Sequence, residues 1–312
     1  MGQLRVRLFG RFDVRHEQQT VPGLAPRKVQ ELFAYLLLHN GRLHSRETLA
    51  TMMWPRSKAR QARKHLRHTL WQLRSAIDSV DVVDSHTLLS ADRDWLRMDP
   101  HADLWVDIRE LERAYACVQS VPGEGFDNEQ AGTVRQALDL YRGDLLEGWY
   151  QEWCLFERER LQGMHLALLA KQMTYYEAHG DYDLGLACGR RALECDVAHE
   201  RIHRRMMRLR YLAGDRTGAL RQYRRCAAFL REELEVGPSA RTVALHRRIR
   251  SECPLPPRRA LSDERLKNPD RKCLPLAEAM RQLEQLQTAL SELECRFQET
   301  IESFQMIRGQ RD

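Results

Sequence analysis

The stretch SKARQARKHLRHTLWQLRSAI at positions 57–77 places the strongest constraint on how this chain can fold. Its large apolar residues recur every three or four positions, which is the spacing of a helix face packed into a core. They are Leu66, Leu70, Leu73 and Ile77. No Asp or Glu occurs between Thr48 and Ile77. The pattern therefore predicts an amphipathic helix whose outer face carries uncompensated positive charge.

An uncompensated cationic face is typical of a helix that binds an anion. A solvated helix normally alternates its charges and gains i,i+4 ion pairs, whereas like charges repel. Duplex DNA relieves this repulsion, because each neutralised phosphate releases counterions. We expect at least one of Arg63, Lys64 and Arg67 to contact a base edge, and Arg60 and His68 to contact phosphates. The alternative is an ordinary solvated basic face.

The charge of the chain is concentrated in its first third. The formal net charge is +6, but residues 1–101 contain 17 basic and 10 acidic residues, while the remainder contains 33 and 34. All the excess positive charge therefore lies in residues 1–101, which makes this part the candidate for binding a polyanion.

Residues 1–101 show the order of elements of a winged helix-turn-helix domain. LRVRLFGRFDV predicts two strands, and APRKVQELFAYLLLHNG and SRETLATMMW predict two helices before the cationic one. TLLSADRDWLRMD then predicts a hairpin. In such a domain the third helix enters the major groove and the hairpin lies beside the DNA backbone. We expect Trp71 to pack against this hairpin, and Arg27 is a further candidate for a backbone contact.

Residues 102–252 are predicted to form a second, tetratricopeptide-like helical domain. GDYDLGLACGRRALE begins at Gly180 and GDRTGALRQYRRCAA at Gly214, a spacing of 34 residues that equals one tetratricopeptide helix pair. Such pairs bury their apolar faces only against neighbouring pairs. Four aromatic residues are expected to pack in this core, with a peptide-binding groove as the alternative: Trp149, Tyr150, Trp153 and Phe156.

The remaining residues are predicted to be a linker followed by an amphipathic helix. Residues 253–275 contain five prolines and many charges, and residues 276–308 repeat apolar residues every seven positions. The apolar heptad residues are Leu283, Leu286, Leu290, Leu293, Phe297, Phe304 and Ile307. We expect this helix to form a coiled coil in a homodimer, and the alternative is docking onto the helical domain of the same chain.

These segments together resemble the antibiotic regulatory protein family of bacterial transcription activators, which join a response-regulator-type winged helix to a bacterial transcriptional activator domain. In the first domain the resemblance rests on RKVQELFAYLLLHNGRLHSRETLATMMWP, ARKHLRHTLWQLRSAI and LLSADRDWLRMDPHADLWVDIRELE. In the second it rests on YRGDLLEGWYQEWCLFERERLQ and AGDRTGALRQYRRCAAFLREELEVGPSARTVALHRRI. The expected fold class is mainly α, with short N-terminal strands.

The resemblance implies a function and further site residues. It implies an activator that binds promoter DNA and recruits RNA polymerase. Ser45 and Arg46 would lie near a phosphate, and the hairpin with Arg93 at its tip would be the wing. The turn between the second and third helices would lie where such domains contact polymerase, and its candidate contacts are Trp54, Arg56 and Ser57.

Other classes of function find little support in the sequence. The twelve histidines form no H-E-x-x-H motif and no Gly-rich phosphate loop follows a strand, so we expect no catalytic residue, metal or cofactor. The eight cysteines form no C-x-x-C pair, and no apolar stretch approaches 18 residues, so we expect reduced thiols in a cytoplasmic protein without membrane contact. The rival function is a protein-interaction adaptor that attaches to DNA without sequence preference.

The predicted coiled coil can be tested by truncation. Removing residues 276–312 is expected to lower the oligomeric mass measured by light scattering, because the heptad residues would lose their partner helix. An unchanged mass would contradict self-association and favour docking within one chain.

Overall fold

The computed structural model describes residues 3–80 and 84–255. The predicted heptad helix and its candidate dimerisation residues lie outside these ranges. The strands are β1 (Leu4–Arg7), β2 (Asp13–His16), β3 (Gln19–Thr20), β4 (His44–Ser45), β5 (Leu89–Ala91), β6 (Trp95–Met98) and β7 (Leu104–Val106). The helices are α1 (Arg27–Leu38), α2 (Arg46–Met53), α3 (Ala59–Asp78), α4 (Ser85–Leu88), α5 (Asp107–Val118), α6 (Asn128–Leu140), α7 (Glu152–His179), α8 (Tyr182–Cys195), α9 (Glu200–Leu212), α10 (Arg216–Leu234) and α11 (Ala240–Arg250).

The winged-helix prediction for the first part of the chain is confirmed. Helices α1, α2 and α3 pack together, and strands β5 and β6 form the predicted hairpin, to which β4 adds a third strand. The Ser45 hydroxyl caps α2 by accepting a hydrogen bond from the Thr48 amide at 3.4 Å. The leucine face of α3 is buried, so its cationic face is left on the outside.

A second sheet joins the start of the chain to the segment that leads into the helical domain. Its strand order is β3-β2-β1-β7. Strand β1 pairs with β2 in antiparallel fashion, as predicted, and pairs in parallel with β7, where Leu4 lies opposite Leu104. The three-residue β7 was not predicted from the sequence.

Asp107 fixes this junction. Its carboxylate accepts hydrogen bonds from the backbone amides of Leu8 and Phe9 at 2.9–3.0 Å and from that of Ile108 at 2.8 Å. The side chain is only 2% exposed, and burial raises its pKa to about 6 although the three amide donors act in the opposite direction.

The helical domain repeats as predicted. Helices α7 to α11 pack against one another in sequence order, and Gly180 and Gly214 end α7 and α9 in the left-handed region, with φ of 79° and 83°. Glycine adopts these angles without the steric cost that a Cβ brings. The tetratricopeptide-like prediction is therefore confirmed for the described residues.

The aromatic prediction for this domain is correct in part. Trp149 is 3% exposed and Trp153 is partly buried, whereas Tyr150 is 80% and Phe156 65% exposed. The prediction of core packing is therefore wrong for Tyr150 and Phe156. Phe156 lies in the first turns of α7, and Tyr150 precedes the helix.

A polar and aromatic contact joins the winged helix to the helical domain. Glu31 of α1, which is 3% exposed, accepts a hydrogen bond from the Gln151 side chain at 2.7 Å. The Arg27 guanidinium lies over the Trp149 ring at 3.9 Å and also bonds to Glu31 at 3.2 Å. Because Phe12 stacks on the same indole, the two parts share one core.

Replacing Asp107 tests the importance of the junction. Asp107→Asn is expected to lower the free energy of unfolding at neutral pH by about 1–3 kcal/mol, because a backbone amide of the β1 segment loses its acceptor while it stays buried. Urea denaturation measures this change.

The same variant tests the pKa of Asp107. A folded-state pKa above the unfolded value of about 3.8 means that wild type loses stability as pH rises from about 4 through 6. The stability difference between wild type and Asp107→Asn should therefore be largest near pH 4 and smallest above pH 6. Asp103→Asn, at an exposed position, is the control and should show neither effect.

Candidate nucleic-acid interface

Helix α3 presents its cations to solvent in one group. The helix has 20 residues and is therefore about 30 Å long. Ala62, Leu66 and Leu73 are buried on its inner side. The predicted contact residues are all exposed on the other side: Arg60, Arg63, Lys64, Arg67 and His68.

The start of α2 and the tip of the wing adjoin this face. The Arg46 guanidinium donates to the Asp92 carbonyl at 2.9 Å, and the Arg46 amide donates to the Asp94 carbonyl at 2.9 Å. Burial and the charges of Arg67 and Arg74 lower the pKa of Arg46. Arg46 therefore lies among like charges from α3, and the structure brings Ser45, which precedes it, to the same place.

The wing is held onto α3 by a residue that the sequence analysis did not single out. Arg74 donates from Nη2 to the Leu89 carbonyl of β5 at 2.7 Å. At the wing tip, Arg93 is exposed between Asp92 and Asp94, whose carboxylates are also exposed. The tip therefore combines one cation with two anions.

Two features at the edge of the face differ from the sequence prediction. Glu47, in the first turn of α2, lies 3.9 Å from Arg63, so an acid from another helix approaches a face that contains none itself. This pair is exposed and contributes little to stability. Trp71 is 63% exposed and its ring stacks on His68 at 5.9 Å, so the expectation that it packs away against the wing is wrong.

The turn between α2 and α3 combines packing and exposed residues. Trp54 is partly buried. The centroid of its ring lies 5.7 Å from the centroid of the His65 ring and 5.7 Å from the Nζ atom of Lys28. The Ser57 amide closes the turn by donating to the Trp54 carbonyl at 3.0 Å. Arg56 is exposed at its tip.

Arg27 is placed apart from the other candidate DNA contacts. Its guanidinium is engaged by Trp149 and Glu31, at the contact with the helical domain. This packing gives Arg27 a structural role, and we leave it out of the interface proposed below. The sequence carried no signal for the contact with Trp149 because the two residues lie more than 100 positions apart.

Comparison with known proteins identifies the helical domain. The family model for the bacterial transcriptional activator domain matches residues 106–250. We refer to residues 106–250 as the activator domain after this match. This match and the two relatives below confirm the resemblance to antibiotic regulatory protein-type activators. The described residues before position 106 supply the winged helix that precedes this domain.

Two relatives extend the comparison beyond the activator domain. The chain is 24% identical over 255 residues to the regulatory protein AfsR of Streptomyces coelicolor, which covers 80% of this chain and 24% of AfsR. The chain thus spans about a quarter of the length of that relative. The structure of Mycobacterium tuberculosis EmbR, solved in complex with a low affinity phosphopeptide, superposes with a TM-score of 0.70 and 20% identity over 82% of this chain and 67% of EmbR. EmbR therefore shares the fold.

Within residues 3–80 and 84–255, no helix is long and apolar enough to cross a membrane. In the same ranges no cluster of His, Cys, Asp and Glu could hold a metal ion. The six cysteines in these ranges are free thiols.

The crowding of cations predicts how Arg67 affects stability. Arg67→Gln is expected to leave the free energy of unfolding of the DNA-free protein unchanged or raise it by about 0.2–0.5 kcal/mol, because a like charge beside Arg46 is removed. Urea denaturation at low salt measures the change.

Arg46→Gln is the matched control for this prediction. It removes the hydrogen bond to the Asp92 carbonyl and should therefore cost about 0.5–1.5 kcal/mol. A loss of stability in Arg67→Gln as large as that in Arg46→Gln would show that Arg67 has a structural role.

Proposed function

We propose that this protein is a transcription activator that binds promoter DNA through α3 and recruits RNA polymerase. The observation that carries the proposal is the exposed cationic face of α3, opposite a buried apolar face, on a winged-helix frame. The activator domain that follows supports the role in transcription. The protein acts in the cytoplasm as a homodimer held by its heptad segment.

In the proposed interface some residues contact phosphates and provide affinity, and others contact bases and recognise the sequence. Arg60 and His68 contact phosphates, and Ser45 and Arg46 approach another phosphate beside the wing. Arg63, Lys64 and Arg67 reach into the major groove, where an arginine can bind both O6 and N7 of guanine. Arg93 at the wing tip contacts the backbone, but its two acidic neighbours limit that contribution.

In the proposed domain organisation each segment of the chain has its own role. Residues 1–101 bind DNA, residues 102–252 form the activator domain, residues 253–275 are a linker and residues 276–308 dimerise. Polymerase contacts the turn between α2 and α3 through Trp54, Arg56 and Ser57. The exposure of Arg56 supports this assignment.

A second candidate function is that of an adaptor whose main ligand is a protein. The observation in its favour is the pair of exposed aromatic side chains, Tyr150 and Phe156, at the start of α7. Exposed aromatic residues are enriched at protein interfaces. An adaptor would bind DNA with a steep salt dependence and almost no preference between sequences.

The deciding experiment is a fluorescence-anisotropy titration of the full chain against its own upstream DNA and against a shuffled duplex. With about five or six cations engaged per monomer, log affinity should fall against log salt with a slope near −5 for each monomer bound. The upstream DNA should bind more than about 10³-fold tighter than the shuffled duplex. A ratio near one would reject the activator and favour the adaptor.

Single substitutions assign the roles within α3. Arg63→Ala and Arg67→Ala are each expected to weaken specific binding by about 1–3 kcal/mol if the residue contacts a base. Arg190→Ala, an exposed position in α8, is the control and should change neither affinity nor specificity. Equal losses on the upstream and shuffled duplexes would show that Arg63 and Arg67 contact phosphates only.

A further inference from the structure

The last two helices of the activator domain carry a second cationic surface. No Asp or Glu occurs from Arg216 to Arg231 or from Val236 to Ser251, which is the same acid-free pattern as in α3. Residues 201–250 contain 14 arginines and four acidic residues. The positive charge of this segment is hidden in the sequence because acidic residues elsewhere in the domain cancel it.

Residues 221–231 of α10 and the whole of α11 expose mainly arginine. Between residues 221 and 231 of α10 the exposed side chains are arginines and one alanine, and the exposed side chains of α11 are likewise arginines and alanines. We call the exposed arginines the α10–α11 surface. Its members are Arg221, Arg224, Arg225, Arg231, Arg241, Arg247, Arg248 and Arg250.

Packing between the two helices brings their arginines together. Ala219, Cys226 and Leu230 are buried on the inner side of α10, so the residues at 221, 224 and 225 face outward. Tyr223 of α10 stacks on His246 of α11 with ring centroids 3.9 Å apart. Arg250 and Arg224 both lower the pKa of His246, after burial as the main cause, because both charges lie near this ring.

The surface lacks the ion pairs that neighbouring arginines form. Arg204 lies 3.9 Å from Glu200 and Arg210 lies 3.0 Å from Asp215. Within residues 3–80 and 84–255, the members of the α10–α11 surface have no acidic side chain within ion-pair distance, although Arg248 donates to the Pro254 carbonyl at 3.3 Å. Eight like charges without counter-ions are unfavourable unless an anion approaches them.

We propose that the α10–α11 surface binds the phosphate backbone of duplex DNA beyond the site read by α3. This inference rests on the proposed function. Protein interfaces are typically anchored by apolar or aromatic side chains, whereas residues 221–231 of α10 and residues 240–250 of α11 expose only arginine and alanine. A phosphate backbone requires distributed cations instead. The surface and α3 belong to the same compact unit.

The test compares two variants that lose the same charge from different faces. Arg221→Gln, Arg224→Gln and Arg225→Gln are combined in the first variant. The control combines Arg113→Gln, Arg135→Gln and Arg190→Gln, which are exposed on α5, α6 and α8. Each full-length protein is titrated by anisotropy against the shortest upstream duplex that retains specific binding and against the same duplex lengthened by about 20 base pairs on each side.

The expected result is a change in salt dependence that needs the longer duplex. For wild type and control, the slope of log affinity against log salt concentration should be steeper by about 3 on the long duplex than on the short one. Three neutralised phosphates contribute about 0.9 each to this slope. The first variant should lose this increment. Its ratio of upstream to shuffled affinity should stay unchanged, because phosphate contacts carry no sequence information.

Two outcomes would overturn the proposal. The first is identical behaviour of the two variants on both duplexes. The second is a steeper salt dependence on the long duplex that appears only after removal of residues 276–312. The predicted helix at 276–308 contains six acidic and three basic residues. In that case the acidic segment, and not DNA, would occupy the surface in the intact chain. Failure of the proposed function would give a different result. The wild-type protein would then bind the upstream and the shuffled duplex with an affinity ratio near one.

Discussion

The parallel pairing of β1 with β7 ties the first strand of the chain to the segment that enters the activator domain. Asp107 secures this pairing through hydrogen bonds to the amides of Leu8 and Phe9, so the strand cannot shift without leaving buried donors unsatisfied. Glu31 and Gln151 add a second contact between the two parts. The winged helix is therefore built into the same unit as the activator domain.

The sequence was sufficient for features that depend on local periodicity. The helices α1 to α3, the hairpin and the 34-residue repeat all follow from spacings within a few turns of chain, and each of them is present. Strand β7 could not be found in this way, because three residues are too few to show a period. The role of Asp107 was also hidden, since its partners lie about 100 residues away and an acid at the start of a helix has an ordinary explanation in the helix dipole.

In the candidate site, too, the sequence predicted the features that depend on local periodicity and not those that depend on tertiary contacts. Exposure of the cations on α3 follows from the helical period alone, and the structure agrees for every residue from Arg60 to His68 that was singled out. The position of Arg27 depends on Trp149, and the approach of Glu47 to Arg63 depends on the packing of α2 against α3. Aromatic residues misled the sequence analysis most, because an indole or phenyl ring on a helix is equally compatible with a core and with an exposed binding surface.

Net charge singled out residues 1–101 as the candidate for binding a polyanion and gave no sign of the arginine-rich stretches beyond them. Averaging over residues 102–312 conceals the acid-free stretches 216–231 and 236–251, whereas the same test that singled out α3, a search for long stretches without Asp or Glu, finds them. Arginines that contact only phosphates add affinity but carry no sequence information. If both surfaces meet DNA, α3 chooses the sequence and the activator domain adds affinity that falls with salt, so the strength of binding can change without any change in the sites that are chosen.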